Sequence, residues 1–203
     1  NPGIKGKIQY SDTTKVVSGC STSCKKIVKN FYKLIFKKVH ITKSIEIAEL
    51  SKLYENVYRS VNIGLANQIK MITDKMRINI HDVINASSTK QFGFTKFIPG
   101  PGMGGHCIPI DPLFLSWIAK KNKSNTKFID LARQVNLDIT KWINFKILKH
   151  LKKKNEKKIL LVGMAYKKNV NDDRESPSKV IFKFFKDRKF KIDYYDPLIS
   201  RTN

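Results

Sequence analysis

Acidic residues are scarce in this sequence. It holds 16 Asp and Glu against 40 Lys and Arg, which gives a formal net charge of +24. Such a charge is typical of proteins that bind nucleic acid, but only six of the basic residues are Arg and the lysines are spread over every segment. A nucleic-acid module would concentrate arginine or aromatic side chains in one place. We therefore expect no nucleic-acid partner, and a basic RNA- or DNA-binding fragment is the alternative.

Cysteine is also scarce, and long apolar runs are missing. Three cysteines do not make the disulfide framework of a small secreted protein. Cys20 and Cys24 lack the further ligands that a metal site would need, so we predict no metal. No stretch approaches the roughly 18 apolar residues of a membrane span, and residues 1–5 show neither an initiator Met nor a signal pattern. We expect a cytoplasmic protein with no membrane partner.

Glycine and proline are concentrated between residues 98 and 114. Glycine allows the backbone to approach a ligand and proline restricts it, so this stretch predicts a shaped loop. The loop carries a thiol, Cys107, and a carboxylate, Asp111. Asp111 followed by Pro112 predicts a helix start with Asp111 as N-cap. A helix N-terminus stabilises the thiolate of a cysteine just before it, which favours a nucleophilic role for Cys107. The alternative is a small buried cysteine that serves only in packing.

The chain divides into three parts by pattern. Residues 1–43 predict a strand, a helix and a strand, which would close an α/β domain. Residues 44–152 predict a helical unit that the glycine-rich loop interrupts. Residues 153–203 predict a second strand, helix and strand with parallel strands. The predicted fold class is α/β overall with an all-helical central part, and we expect both ends of the chain to lie inside larger domains.

A long helix is predicted from Ser44 to about Met76. Lys52 and Asn56 lie one turn apart on it, and a solvated polar face is the alternative to a functional pair. The loop 164–176 follows a strand and is a second candidate site, because ligands bind at the carboxyl ends of parallel strands. Apolar residues at steps of three and four predict a core stripe along the helix, formed by Leu50, Leu53, Val57, Val61, Leu65, Ile69, Ile72 and Met76.

Three collinear motifs resemble the UDP-glucose/GDP-mannose dehydrogenase family. They are residues 49–56 (ELSKLYEN), residues 99–112 (PGPGMGGHCIPIDP), and residues 163–168 (GMAYKK) with 173–176 (DRES). The sequence around the cysteine is most similar to that of the family branch that oxidises UDP-N-acetylglucosamine in bacterial surface-polysaccharide synthesis. The first residues, Asn1 to Gly3, resemble the segment that follows the family's catalytic-glutamate loop.

The resemblance implies three domains and a dimer. Residues 1–43 would end an NAD-binding Rossmann domain, residues 44–152 would form the helical dimerisation domain, and residues 153–203 would begin a UDP-sugar-binding domain. A homodimer is the expected assembly. Because the glycine-rich NAD fingerprint is absent from the sequence, we expect the chain alone to be inactive.

The resemblance also implies a reaction, the NAD-dependent four-electron oxidation of a UDP-sugar C6 alcohol to the carboxylate. The expected substrate is UDP-N-acetylglucosamine or an epimer, with UDP-glucose or an inactive remnant as alternatives. Cys107 would form a thiohemiacetal and then a thioester. Lys52 and Asn56 would stabilise the oxyanion, and Asp111 would orient a water or balance Lys52. Further matched positions are Ile63, Gly104, Gly105, Tyr166 and Lys167 for the substrate and Arg174 for the cofactor, while His106 is expected to be structural.

Overall fold

The computed structural model of the protein describes residues 10–155 and 158–200. The chain forms two compact units, the first ending at Glu55 and the second beginning at Asn56. The segment Asn1 to Gly3, which the resemblance relates to a catalytic loop, lies outside the described residues.

A parallel strand pair with one crossover helix makes up most of the first unit. A short 3-10 turn, Tyr10–Asp12, precedes β1 (Lys15–Val17), α1 (Thr22–Lys33) and β2 (Val39–Ile41). In the pairing, Lys15 lies opposite Val39 and Val17 lies opposite Ile41. This unit confirms the predicted order of strand, helix and strand.

Helices dominate the second unit until its last fifty residues. Its elements are the larger part of α2 (Ile45–Lys75), then α3 (Ile80–Ser87), α4 (Asp111–Lys121), α5 (Lys127–Lys154), β3 (Lys158–Val162), α6 (Pro177–Asp187) and β4 (Lys191–Tyr195). β3 and β4 are parallel, as predicted, with Lys158 opposite Lys191 and Val162 opposite Tyr195. The mixed α/β class with a central helical part is confirmed.

The buried face of α2 is not the one that its apolar spacing predicts. Leu65 is 56% exposed and Met76 is 60% exposed, whereas Asn56, Ser60, Gly64 and Asn67 are buried. A Cβ at Gly64 would lie 3.1 Å from the carbonyl oxygen of Ala132 in α5. Val57 is buried as predicted, but the rest of the predicted stripe is not fully buried because α2 and α5 pack through small and polar side chains that allow close approach.

The carboxy-terminal strands pack on α5 and α6 through an apolar core. Leu151, Ile181 and Phe185 are buried at its centre, and Phe185 is completely enclosed. Phe185 also meets the Phe190 ring edge-on at a centroid distance of 5.4 Å, a favoured aromatic geometry. This core places the carboxyl end of β3, and the loop that follows it, beside the helical part of the unit.

Within residues 10–155 and 158–200, none of the helices combines the length and the apolar character needed to cross a membrane.

Candidate functional site

A chain of buried amides fixes the start of the glycine-rich loop. The Asn67 side chain accepts a hydrogen bond from the Gly100 backbone N–H at 2.9 Å and donates to Asn136 Oδ1 at 2.8 Å. The Asn136 amide in turn donates to the carbonyls of Ser60 and Ala132, both at 2.9 Å. Asn67 and Asn136 are both buried. The loop is therefore attached to α2 and α5 at once through buried, hydrogen-bonded amide groups.

The next turn of the loop presses against α5 and the start of α6. The Thr140 hydroxyl donates to the carbonyl oxygen of Pro101 at 2.5 Å. Gly102 has φ of +139°, and a Cβ there would lie 2.8 Å from Thr140 Oγ1 and 3.1 Å from Pro177 Cγ. Only glycine combines this backbone conformation with this proximity.

Cys107 lies in the turn that leads into α4. Its carbonyl oxygen accepts hydrogen bonds from the N–H groups of Ile110 at 3.1 Å and Asp111 at 2.8 Å. The residue itself is exposed. The backbone at Cys107 is thus fixed by the first turn of the helix while its thiol remains accessible to a ligand.

Asp111 binds Asn56 and does not cap its helix. α4 begins at Asp111, its N-cap residue is Ile110, and no side chain caps it, so the predicted N-cap role is wrong. With Pro112 in the first turn, where its fixed φ is helical, the Asp111 carboxylate instead accepts a hydrogen bond from Asn56 Nδ2. Asn56 is 1% exposed, which excludes the alternative of a solvated polar face at this position.

The two loops that the sequence singles out separately are in contact. A Cβ at Gly104 would lie 2.6 Å from Tyr166 Cβ and 2.9 Å from the Glu175 carbonyl oxygen. Gly105 has φ of +87°, and a Cβ there would lie 2.8 Å from the Tyr166 ring. The Gly105 N–H donates to the Arg174 carbonyl at 2.9 Å. Gly104 and Gly105 therefore bring the cysteine loop against the loop 164–176.

An ion pair lies at the edge of this contact. Arg174 binds Asp172 through Nε at 3.0 Å and through Nη2 at 2.7 Å. Arg174, through its side chain and then its backbone N–H, lowers the pKa of Asp172 to about 2, and the charge of His106 contributes. Asp172 raises the pKa of Arg174, to which the charges of Tyr166 and Cys107 add smaller effects. His106 hence lies within electrostatic range of Asp172, and Tyr166 and Cys107 lie within electrostatic range of Arg174.

Three other residues that the family resemblance singles out make no hydrogen bond or ion pair to the described residues of this contact. Ile63 is half-buried on α2, and Lys167 is exposed next to Tyr166. Lys52 belongs to the first unit, where its ammonium lies 3.3 Å from the Glu55 carboxylate. Their functional roles stay predictions.

Asp196, which the sequence reasoning missed, holds the beginning of the loop 164–176. Its Oδ2 accepts the N–H groups of Met164 at 2.8 Å and Ala165 at 2.9 Å, and its Oδ1 accepts those of Leu198 and Ile199. These hydrogen bonds, with those from Ala165 and Leu198 the strongest, lower the pKa of Asp196 to about 2. Its place directly after β4 was the available signal, because carboxyl ends of parallel strands meet at one edge.

Both loops of this site lie in segments that match models of one protein family. Residues 46–138 match the model of the UDP-glucose/GDP-mannose dehydrogenase family, central domain, and residues 160–203 match the UDP binding domain of that family.

Individual relatives align over nearly the whole chain. UDP-N-acetyl-D-mannosamine dehydrogenase of Methanococcus maripaludis is 35% identical over 97% of this chain and 46% of its own length. UDP-N-acetyl-D-glucosamine 6-dehydrogenase of Pseudomonas aeruginosa is 30% identical over 98% of this chain and 48% of its own. A UDP-D-ManNAc dehydrogenase structure from Pyrococcus horikoshii superposes with a TM-score of 0.85 at 28% identity, covering 93% of this chain and 45% of that one. The chain thus spans about half the length of these relatives.

The amide chain predicts a stability effect. Asn136→Leu keeps the branched shape of the side chain but leaves the buried Asn67 amide without its acceptor, so the free energy of unfolding should fall by about 1–3 kcal/mol. Urea denaturation measures it. Gln134→Leu, at an exposed position on the same helix, is the control and should change stability by less than about 0.5 kcal/mol. Equal effects of the two substitutions would contradict the role of the network.

Asp196 predicts a pH dependence. Its folded pKa of about 2 lies below the ordinary value of about 3.9, so its contribution to stability is complete above about pH 4 and is lost as the pH falls toward 2. Asp196→Asn should therefore destabilise most at neutral pH, and its difference from the wild type should shrink in acid.

Urea denaturation at a series of pH values from neutral to acid measures this difference. Asp187→Asn, which changes an exposed carboxylate at the last residue of α6, is the control. A wild-type advantage over Asp196→Asn that stays constant with pH would contradict the assignment.

Proposed function

Because the chain belongs to the UDP-glucose/GDP-mannose dehydrogenase family, we propose that the protein oxidises the C6 alcohol of a UDP-N-acetylhexosamine to the carboxylate with NAD+. The observation that carries the proposal is the contact of the Cys107 loop with the loop 164–176 through Gly104, Gly105 and Tyr166. One loop supplies a nucleophile, and the other follows a strand of the part that matches a UDP binding domain.

Cys107 is the proposed nucleophile. Its thiol is exposed and its backbone is fixed by the first turn of α4, a combination that allows attack on a bound aldehyde without movement of the main chain. The sulfur adds to the aldehyde carbon to give a thiohemiacetal. Loss of a hydride and a proton from that adduct, with NAD+ as the hydride acceptor, gives a thioester, and water hydrolyses the thioester to the carboxylate and restores the thiol.

Asn56 and Asp111 are proposed to act as a pair. The Asn56 amide donates to the Asp111 carboxylate, so each side chain holds the other in one orientation. An oriented carboxylate can accept a proton from the hydrolytic water, and an amide N–H can donate to an oxyanion. Lys52, whose proposed role rests on the resemblance alone, would add positive charge for the same oxyanion.

The sugar is proposed to lie along the glycine side of the contact. Gly104 and Gly105 pack directly against the half-buried Tyr166, so the backbone of the cysteine loop and the ring and hydroxyl of Tyr166 border the same place. Ile63 and Lys167 complete the proposed substrate positions. An N-acetylated sugar is favoured because the relatives from Methanococcus maripaludis and Pseudomonas aeruginosa carry the names of N-acetylmannosamine and N-acetylglucosamine enzymes.

Arg174 is the proposed contact to the cofactor. Its guanidinium side chain is 65% exposed, and Asp172 holds it in place, which fits an anionic dinucleotide. Two NAD+ molecules, bound one after the other, would each accept one of the two hydrides that the oxidation releases. Arg174 itself would bind the cofactor and orient it.

The experiment measures NADH formation by the protein with a dinucleotide-binding domain present, supplied separately with UDP-N-acetylmannosamine, UDP-N-acetylglucosamine and UDP-glucose. About two NADH per sugar from an N-acetylated substrate supports the full four-electron reaction. Two NADH from UDP-glucose alone would overturn the proposed sugar class, and no NADH from any substrate would overturn the dehydrogenase proposal.

The proposed nucleophile gives a direct prediction. Cys107→Ser should reduce NADH formation by roughly a thousandfold or more, because a serine hydroxyl is a far weaker nucleophile than a thiolate. Binding of the UDP-sugar, measured by titration calorimetry, should change by less than about threefold, or roughly 0.7 kcal/mol. Cys24→Ser, in the first unit, is the matched control and should retain activity. Normal turnover by Cys107→Ser would rule out the covalent route.

A homodimer is proposed from the exposed apolar residues of α2. Leu65 and Ile72 lie on α2 and Met76 directly follows it, all three are at least 46% exposed, and such surface favours a protein partner. Sedimentation velocity should find a dimer, which the double substitution Leu65→Lys with Ile72→Lys shifts to the monomer. Lys75→Ala, at an exposed position near the end of the same helix, is the control. A wild-type monomer at micromolar concentration would contradict the proposal.

A further inference from the structure

Two of the three cysteines form a close pair in the first unit, apart from the residues assigned above. The Cys20 thiol donates a hydrogen bond to the Cys24 sulfur at a distance of 3.4 Å. A disulfide needs about 2.05 Å between the sulfurs, a change that side-chain rotation can supply when the backbone already holds the two residues close together. Cys20 is exposed and Cys24 is half-buried, so a small reagent can reach the pair.

The local backbone is built to bring the two thiols together. Ser21 is the N-cap of α1, and its hydroxyl accepts the Cys24 N–H at 3.1 Å. Just before the pair, a Cβ at Gly19 would lie 2.9 Å from Cys24 Cβ and 2.7 Å from the Lys25 backbone nitrogen. The close return of the chain onto the first turn of α1, and with it the position of Cys20, therefore requires glycine.

The surroundings also favour Cys24 as the attacking sulfur. The Ser21 hydroxyl, followed by the Cys20 thiol, lowers the pKa of Cys24. Cys24 lies in the first turn of a twelve-residue helix, where the N-terminal partial charge stabilises a thiolate. Cys20 then stands as the second thiol within reach.

We propose that Cys20 and Cys24 form a reversible dithiol–disulfide couple that reacts with low-molecular-weight disulfides, of which glutathione disulfide is the test reagent. The Cys24 thiolate attacks one sulfur of the reagent, its S–S bond breaks, and one small thiolate leaves. The Cys20 thiol then loses its proton to that thiolate and attacks Cys24 Sγ, which releases the second small thiolate. Both cysteines are oxidised, and the reagent is reduced to two thiols.

The test equilibrates the full chain with a series of ratios of reduced to oxidised glutathione, quenches it in acid, alkylates the free thiols and digests it with trypsin. Residues 16–25 form one tryptic peptide, since Lys15 and Lys25 flank it, and it contains both cysteines. An internal disulfide leaves this peptide without alkyl groups and two hydrogens lighter than the unmodified dithiol, whereas the reduced peptide carries two alkyl groups. We expect that form in the folded chain, with an equilibrium constant at least about tenfold above that of the chain unfolded in guanidinium chloride.

Three variants separate the proposal from nonspecific oxidation. Cys20→Ser should leave glutathione attached to Cys24, because the resolving thiol is gone. Cys107→Ser should leave the equilibrium of the pair unchanged. Gly19→Ala keeps both thiols but forces the chain away from Cys24, and it should lower the equilibrium constant toward the unfolded value.

Equal constants in the folded and unfolded chain would overturn the proposal. So would stable glutathione adducts on Cys24 in the wild type. Because the measurement uses neither UDP-sugar nor NAD+, its failure would leave the proposed dehydrogenase function untouched.

Discussion

The hydrogen bond between Asn67 and Asn136 joins α2, α5 and the loop that leads to Cys107. Both amides are buried, and a buried amide without partners is costly, so the network stabilises the one arrangement in which its groups are matched. A slip of α2 along α5 would break several hydrogen bonds at once. Apolar side chains at these positions would pack as well, but they would not define where Gly100 sits. The geometry of the reactive loop thus depends on a polar helix interface.

Four glycines add to the amide network, because each allows a close contact that positions the helices or the loop. Gly64 allows α2 and α5 to approach, Gly102 lies against Thr140 and Pro177, and Gly104 and Gly105 lie against Tyr166. A Cβ would collide with a neighbouring group at Gly102, Gly104 and Gly105, and it would be tightly crowded at Gly64. The loop is therefore held on two sides, by the helices and by the loop after β3. Such support on several sides is what keeps a reactive group in a productive orientation.

Sequence patterns predicted the order of the elements, the parallel strand pairs and the shaped loop with Cys107, because these follow from local propensity and from glycine and proline content. They did not predict the buried face of α2, since Leu65 and Met76 give a stronger periodic signal than Ser60 and Gly64. Asp111 fitted an N-cap pattern, yet its carboxylate accepts a hydrogen bond from Asn56, which lies 55 positions earlier in the sequence. Asp196 was missed although its place directly after β4 was a signal, because its partners Met164 and Ala165 lie 32 and 31 positions earlier. Contacts between distant segments decide these roles, and one-dimensional patterns do not contain them.

The most direct measurement is the mass of Cys107 during turnover. The protein, with a dinucleotide-binding domain present, would be mixed with NAD+ and a UDP-N-acetylhexosamine, quenched in acid within the first turnover and digested. The account predicts that the peptide containing Cys107 carries the oxidised sugar nucleotide as an acid-stable thioester, and that the adduct is absent without NAD+. NADH production with an unmodified Cys107 throughout, or with the adduct on another residue, would contradict it.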